Sequence, residues 1–235
     1  MRWIRVPSGL RVTPSIAILA ALLSCSVAGA QSPPSQPPPT RFTVVLDAAH
    51  GGDDAGGRLA SGQMEKTATL ALSVRLRSLL AARGMTVVTT RESDATVDPE
   101  RRAEIANHAK AAACLSLHAT ESGSGLHIFT SSLPPTEPGR FIPWKTAQAG
   151  WITRSLALAG ALNSALLKEG FNITLSRTDL IGVDNMTCPA LAIEIAPLRS
   201  ADGKVTAEAD DADYQAHVAN TLATALLAWR LEAHP

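Results

Sequence analysis

The chain has 235 residues, of which 46% are hydrophobic and 18% are charged, and this composition excludes a wholly disordered protein. Lysine plus arginine number 21, as do aspartate plus glutamate, so a strongly basic nucleic-acid-binding protein is excluded and no nucleic-acid partner is expected. Three cysteines are too few for a disulfide framework. Aromatic residues make up only 4%, which favours helices packed on a sheet over a β-sandwich.

Residues 1–30 have the pattern of a secretory signal peptide, which predicts export to the periplasm or cell envelope. Three arginines precede an apolar stretch at 16–27, and the segment 28–30 (AGA) matches a small-x-small cleavage site. The apolar stretch is short for a membrane span, so no transmembrane segment is expected in the mature form. An uncleaved anchor is one alternative. Another is a lipid anchor on Cys25, because the segment 22–25 (LLSC) resembles a bacterial lipobox.

Residues 31–40 contain five prolines and are expected to form an extended, semi-rigid linker. The folded domain is therefore predicted to span residues 41–235 as one unit. Residues 1–30 carry three arginines and no acidic residue, so the remaining chain has 18 basic and 21 acidic residues. The mature protein is expected to be mildly acidic.

Strands and helices alternate along this domain. Apolar runs predict strands at 42–47, 85–90, 113–118, 126–131, 180–183 and 191–195. Helical spacing and end signals predict helices at 65–83, 98–110, 147–168 and 211–231. The fold class predicted is α/β, a single domain with an open, mostly parallel (mixed) sheet flanked by helices on both faces. In such sheets, ligands bind at the carboxyl ends of the strands.

Polar residues with metal-binding chemistry lie near three predicted strand ends. His50 follows the first strand, His118 ends a buried strand, and Glu194 interrupts the apolar run ALAIEIA, while Glu65 opens the first helix. Two imidazoles and one carboxylate form a common catalytic zinc set, and a further carboxylate can then act as general base. Each residue also has a structural interpretation. Strand-end histidines are often simply hydrogen-bonded, Glu65 suits a helix N-terminus, and Glu194 could pair with an arginine such as Arg91.

A family resemblance favours the metal site. The segment 44–53 (VVLDAAHGGD) resembles the opening motif of the zinc-dependent N-acetylmuramoyl-L-alanine amidases often called amidase type 3. Later segments resemble further blocks of that family in the same order, over roughly residues 42–231. These segments are 65–71 (EKTATLA), 87–91 (VVTTR), 101–107 (RRAEIAN), 114–119 (CLSLHA) and 189–194 (PALAIE).

The resemblance implies a set of roles for these residues. His50, Glu65 and His118 would be the zinc ligands, and Glu194 would be the catalytic general base. The family fold is a mixed α/β sheet flanked by helices. The implied substrate is peptidoglycan, cleaved at the amide between N-acetylmuramic acid and the L-alanine of the stem peptide. An activator protein is a possible partner whose identity and need the sequence leaves open.

Three departures from the family pattern lie near these motifs. Ala48-Ala49 stand where Pro-Gly is usual, Thr120 stands where asparagine is common, and the segment 195–198 (IAPL) replaces the usual continuation after the glutamate. All of these changes affect the rim of the expected site. A catalytically impaired module that binds the wall or a protein is therefore an alternative. A zinc hydrolase acting on another amide, such as a free muropeptide, is a third hypothesis.

The remaining polar residues are not expected to be metal ligands. Asp47 is expected either to accept a hydrogen bond from a ligand histidine or to cap the turn after its strand. The histidines without a motif around them are interpreted as surface or structural residues, and no serine is placed as in a nucleophile triad. These histidines are His108, His127, His217 and His234.

Two further features leave alternatives open. Cys114 and Cys188 could form a disulfide in an oxidising compartment if their strands are neighbours, but buried free thiols are the favoured interpretation. The loop 132–150 contains four prolines, Phe141 and Trp144. It is expected either to border the substrate groove or to place Trp144 as core cover for the neighbouring helix.

Overall fold

The structure is a computed structural model that describes residues 42–137 and 140–233. The signal peptide predicted at 1–30, the linker predicted at 31–40 and His234 lie outside these residues. Within the described ranges, none of the helices is long and apolar enough to cross a membrane.

The described chain forms eight strands, four α-helices and two 3-10 helices. The strands are β1 (Thr43–Ala48), β2 (Thr86–Thr89), β3 (Ala113–Ala119), β4 (Leu126–Ser131), β5 (Ile173–Thr178), β6 (Ala190–Ile195), β7 (Leu198–Arg199) and β8 (Val205–Ala207). The α-helices are α1 (Glu65–Ala82), α2 (Pro99–Ala109), α3 (Ile152–Lys168) and α4 (Ala212–Ala233). The 3-10 helices are Trp144–Gly150 and Val183–Asn185.

Six of these strands form one mixed sheet in the order β2-β1-β3-β6-β4-β5. The first four are mutually parallel, β4 runs antiparallel to β6, and β5 is parallel to β4. The strands β7 and β8 form a separate two-stranded hairpin. The predicted class, a mostly parallel α/β sheet with flanking helices, is confirmed.

Alternation along the strands divides the buried side chains into two clusters. Leu46, Leu115 and Ile193 belong to a large cluster that also contains buried residues of α1, α3 and α4. Their strand neighbours Val45 and Cys114 belong to a smaller cluster with residues of α2. Three helices therefore cover one face of the sheet and α2 covers part of the other. The C-terminal rim of β1 and β3 lies between these layers.

Some predicted elements differ from the structure. The strand predicted at 180–183 is wrong, because Leu180 and Val183 pack on the smaller cluster around a 3-10 turn. Sequence patterning missed the short strands β7 and β8, and also β5, whose residues are mostly exposed at the edge of the six-stranded sheet. An exposed edge strand carries no clear alternation of apolar and polar residues. The helix predicted from residue 147 begins at Ile152, after a 3-10 segment.

The two cysteines of the domain form a disulfide. The sulfurs of Cys114 and Cys188 are bonded, their Cα atoms are 6.3 Å apart, and both residues are fully buried. The favoured interpretation as free thiols is therefore wrong. Cys114 is paired in register with Ala190, two residues after Cys188, so the bond joins β3 to the chain entering β6.

Candidate metal centre and adjoining carboxylate

Two histidines and a glutamate converge at the C-terminal rim of the sheet. His50 follows β1, Glu65 is the first residue of α1, and His118 is the penultimate residue of β3. Each offers one ligand atom, and these atoms all lie within 4.8 Å of one another. Glu65 lies between the rings, with Oε2 3.1 Å from His50 Nε2 and Oε1 3.0 Å from His118 Nδ1. The three residues singled out in the sequence are thus brought together.

The outer nitrogen of each ring has its own neighbour. His50 donates from Nδ1 to Asp54 Oδ2 at 2.8 Å, and His118 Nε2 lies 3.4 Å from Ser116 Oγ. The remaining nitrogen of each imidazole faces Glu65. Ligating histidines typically engage their second nitrogen in this way, which fixes ring orientation and tautomer. The donor set therefore fits a metal ion such as zinc, which favours histidine nitrogen and carboxylate oxygen.

Glu65 is buried and held from several directions. Burial acts to raise the pKa of its carboxyl, but hydrogen bonds with His118, His50 and the Gly57 N–H outweigh it, so the pKa is lowered. The Gly57 and Ala119 backbone N–H groups donate to its two oxygens at 2.9 and 3.2 Å. Its position at the first turn of α1 also suits a negative charge. Glu65 is thus an anionic group at neutral pH.

The pKa of His50 is raised above its usual value of 6.5, chiefly because the ring hydrogen bonds with the Glu65 carboxylate. Burial opposes this shift, and the hydrogen bond to Asp54 adds to it. The same contact with His50 lowers the pKa of Asp54. In the metal-free protein, a proton is therefore favoured on His50, at the place where a metal would bind.

The backbone around His50 is fixed by two buried arginines. His50 has φ +62°, an uncommon conformation for a residue with a Cβ. Arg102 donates to the carbonyls of His50 and Ala48, both at 2.6 Å. Arg91 donates to the carbonyls of Ala48 and Ala49 at 2.9 and 3.0 Å. These contacts hold the segment in which Ala48-Ala49 replaces the usual Pro-Gly, and the segment still presents His50 to the cluster.

Gly56 lets the next loop approach the same ring. It has φ +66°, and a Cβ at this position would lie 2.6 Å from His50 Cδ2 and 2.8 Å from Glu65 Oε2. A side chain would therefore displace one of these two groups or the loop itself.

Asp47 supports the site without touching a histidine ligand directly. Its carboxylate accepts hydrogen bonds from Ser116 Oγ at 2.8 Å, Thr90 Oγ1 at 2.6 Å and Arg102 at 2.7 Å. The expectation of a direct bond to a ligand histidine is thus wrong, since Ser116 stands between Asp47 and His118. Because the Ser116 hydroxyl is directed to the aspartate and buried, these residues do not form a nucleophile triad.

Glu194 lies on the strand next to His118. The two residues are paired in register between β6 and β3, so their side chains share one face of the sheet. Glu194 does not pair with Arg91, as one interpretation held. Its Oε1 instead accepts a hydrogen bond from Nδ1 of His127 at 2.7 Å.

His127 is the neighbour that the sequence did not reveal. It was interpreted as a surface or structural histidine, but its side chain is only 18% exposed beside Glu194. The contact exists because β4 pairs antiparallel with β6, which places His127 opposite Glu194. The sequence does not show that β4 pairs with β6, so it could not place His127 beside Glu194. The other two described histidines lie elsewhere, with His108 on α2 and His217 on α4 near Glu169.

The sequence matches the family model described as N-acetylmuramoyl-L-alanine amidase over residues 44–228. The chain belongs to the N-acetylmuramoyl-L-alanine amidase family. This match covers every residue of the cluster described above.

Individual relatives of this amidase-family chain match only part of it or match it at low sequence identity. The germination-specific N-acetylmuramoyl-L-alanine amidase of Bacillus subtilis is 34% identical over 89 residues, which are 32% of this chain and 37% of that protein. The chain thus matches little more than a third of that relative's length. The catalytic domain of CwlV, an N-acetylmuramoyl-L-alanine amidase from Bacillus (Paenibacillus) polymyxa, has a TM-score of 0.63 at 25% identity, over 80% of this chain and 98% of that domain. The CwlD amidase of Clostridioides difficile, solved in complex with the lipoprotein GerS, has a TM-score of 0.54 at 18% identity, over 80% and 95%.

An exposed aromatic residue of this amidase-family domain lies beside α2. Trp144 is 53% exposed, so the interpretation of Trp144 as core cover is wrong. It lines a cavity of about 430 Å³ together with six residues, five of them on α2. These are Asp98, Glu100, Arg101, Ala103, Glu104 and Asn107.

Proposed function

We propose that this chain is a zinc-dependent N-acetylmuramoyl-L-alanine amidase, which hydrolyses the amide between N-acetylmuramic acid and L-alanine in peptidoglycan. The observation that carries the proposal is the arrangement of four side chains. The ligand atoms of His50, Glu65 and His118 lie within 4.8 Å of one another, and Glu194 is next to His118 in register. Family membership supplies the substrate class.

The metal would be held by His50, Glu65 and His118. A neutral imidazole, a second neutral imidazole and one carboxylate make up a common catalytic zinc set. When bound, zinc supplies Lewis acidity that activates water and polarises a carbonyl. For binding, His50 must be deprotonated at Nε2, and its Nδ1–H bond to Asp54 favours that tautomer.

Glu194 is assigned the proton transfers of the reaction. The attacking water gives its proton to the carboxylate as its oxygen bonds to the lactyl carbonyl carbon. When the carbon–nitrogen bond breaks, the same carboxyl delivers the proton to the departing amine of L-alanine. The position supports this role, because Glu194 is on the same face as His118 and its side chain is 30% exposed. It is therefore open to water and is not enclosed in the core.

We also propose that the protein acts outside the cytoplasm, in the periplasm or cell envelope. The signal-peptide pattern of residues 1–30 and the wall substrate both support this location. The disulfide between Cys114 and Cys188 is consistent with an oxidising compartment.

Metal analysis of the purified protein, paired with digestion of intact sacculi, tests the proposal. Glu194→Gln should keep the fold and the zinc but lower turnover by about 10²-fold or more, the usual scale of acid–base catalysis. His118→Ala should lose both zinc and activity. His108→Ala, an exposed change on α2, is the matched control and should alter neither.

Other outcomes would redirect the proposal. Near-full activity in Glu194→Gln would show that the assigned base is wrong. Wall binding without zinc or digestion would instead indicate an impaired binding module, the alternative raised by the altered segments at Ala48-Ala49 and Thr120. Cleavage of soluble muropeptides without digestion of sacculi would indicate a hydrolase acting on released fragments.

A further inference from the structure

A row of three polar residues crosses the sheet beside the ligand cluster. His118 on β3 is paired in register with Glu194 on β6, and Glu194 is paired with His127 on β4. Directly paired residues point to the same face of a sheet. His127 therefore flanks Glu194 on the side opposite the ligand His118. Neither the ligand cluster nor the proposed mechanism makes use of this histidine.

The contact between His127 and Glu194 is short and partly buried. Nδ1 of His127 lies 2.7 Å from Glu194 Oε1, and the side chains are 18% and 30% exposed. Within the described ranges, no other side chain hydrogen bonds to this carboxylate. Because a hydrogen bond to a charged acceptor is among the stronger ones, this contact alone restricts the rotation of Glu194. Among the described residues, Oε2 of Glu194 has no hydrogen-bond partner.

The imidazole is itself confined by the loop that precedes β4. Gly123 has φ +82°, and a Cβ there would lie 2.5 Å from Cε1 and 2.9 Å from Nε2 of His127. The Gly123 carbonyl accepts a hydrogen bond from Arg199 Nε at 3.0 Å, which holds the loop in place. The ring also packs in a T-shaped arrangement with Phe129, with centroids 6.3 Å apart. The ring thus has little room to turn away from Glu194.

We propose that His127 is a positioning residue for the catalytic carboxylate. Its Nδ1–H donates to Oε1 of Glu194 and holds the carboxyl group so that Oε2 faces the reacting water. This inference rests on the proposed role of Glu194 as general base. It predicts that His127 affects the rate of the chemical step and not the binding of substrate or metal, since its hydrogen bond is to the base and not to a ligand residue.

Two variants at position 127 and a control variant at position 108 test the inference. His127→Leu removes the donor while keeping an apolar side chain of comparable bulk, whereas His127→Asn keeps an N–H donor close to the position of Nδ1. On a soluble muropeptide, His127→Leu should lower kcat roughly tenfold or more, because small misplacements of a reacting group are costly. Its KM and zinc content should stay at the wild-type level. His127→Asn should recover most of kcat, and His108→Leu on the exposed face of α2 should match the wild type.

A second change displaces the ring without altering it. Gly123→Ala should force the His127 ring to move, because the added Cβ has no room beside Cε1. We expect this variant to show the same fall in kcat with zinc retained. If His127→Leu fails to fold, this variant and His127→Asn decide the question. Wild-type kcat in Gly123→Ala, or equal impairment by His127→Asn and His127→Leu, would overturn the inference.

One measurement needs no activity. In the ¹⁵N-labelled metal-free protein, the His127 Nδ1–H signal, assigned by its loss in His127→Leu, should move when Glu194→Gln replaces a charged acceptor with a neutral one. An unmoved signal would contradict the hydrogen bond. Failure of the proposed function is distinguishable from failure of this inference. If the proposed function fails, the wild type cleaves no wall substrate. If only this inference fails, the wild type cleaves the substrate and His127→Leu cleaves it equally fast.

Discussion

The two halves of the candidate site are supported to very different degrees. In the ligand half, consisting of His50, Glu65 and His118, each side chain contacts at least two polar partners. In the base half, Glu194 has a single side-chain partner, His127, among the described residues. The ligand half is also backed by the buried Arg91, Arg102 and Asp47.

This difference in the number of polar partners agrees with the chemical role proposed for each half. Metal ligands must hold three donor atoms in one geometry, and redundant hydrogen bonds supply that rigidity. A general base has to exchange protons with water and with a leaving group, so its carboxylate oxygens cannot all be occupied by protein hydrogen-bond donors. We therefore expect the ligand half to tolerate the loss of one hydrogen bond where a second contact still holds the same group. Where no second contact remains, we expect the loss to disturb the site.

Among the described residues, Arg102 is the one side chain that donates to the His50 carbonyl. Arg102→Met removes donors to Asp47, Ala48 and His50 and leaves the Asp47 carboxylate without its cation. Breaking one partner of a buried ion pair costs about 3–5 kcal/mol. Chemical denaturation of the metal-free protein should show a loss of unfolding free energy of that size. Zinc binding should also be weaker, because the His50 carbonyl is released.

Its neighbour provides the control. Arg101 is 61% exposed and pairs with Glu104 on the surface of α2, so Arg101→Met should change the free energy of unfolding by less than about 1 kcal/mol. Equal effects of the two substitutions would mean that the buried network does not set the stability of the ligand half.

The disulfide offers a test of how the two halves are kept in register. It joins β3, which carries His118, to the chain entering β6, which carries Glu194, across 74 residues of sequence. The double variant Cys114→Ala/Cys188→Ala should lose about 2–5 kcal/mol of unfolding free energy. Zinc binding should be less affected than turnover, because His50, Glu65 and His118 all lie outside the segment that enters β6.

A thiol count verifies the bond itself. The mature chain, denatured without reductant, should show no free thiol from Cys114 or Cys188. A count of two would restore the free-thiol interpretation that the sequence favoured.

Sequence reasoning reached the ligand half more easily than the base half for a physical reason. His50 and His118 lie at the ends of buried strands and Glu65 opens a helix, so local patterning alone places them at one rim. His127 reaches Glu194 only through an antiparallel pairing of β4 with β6, and no local pattern announces which strands will be neighbours. The edge strand β5 was missed because its exposed residues lack the alternation that burial imposes.

The supporting arginines show the same limit of prediction from sequence. Arg91 could be considered only as a partner for Glu194, since a carboxylate is the usual neighbour of a buried arginine. The structure instead directs it to the carbonyls of Ala48 and Ala49. Carbonyl acceptors are present at every residue and therefore leave no signal in the sequence.

The pH dependence of metal binding tests the electrostatics of the ligand half. The pKa of His50 is raised, first by its hydrogen bond with Glu65 and then by Asp54, and metal must displace this proton. Zinc affinity should therefore fall as pH decreases through the raised pKa, by up to about tenfold per pH unit for one proton. Titration calorimetry at several pH values measures this directly.

Asp54→Asn should move the decline in affinity to lower pH. The amide removes one of the two anions that favour the protonated ring, so the pKa of His50 returns towards its usual value. The same affinity profile for both proteins would show that Asp54 does not influence the proton on His50.

The smallest effect is expected outside both halves, at Trp144. It is 53% exposed and lines the cavity beside α2, so Trp144→Ala should change the free energy of unfolding by no more than about 0.5 kcal/mol. An indole offers a large apolar face and one N–H donor, and a groove bordered by it should gain affinity for a glycan or stem peptide. Co-sedimentation with sacculi should show a severalfold weaker interaction, while kcat on a soluble muropeptide stays unchanged. A large loss of stability with unchanged sedimentation would place Trp144 among the structural residues and confine wall recognition to the two halves of the site.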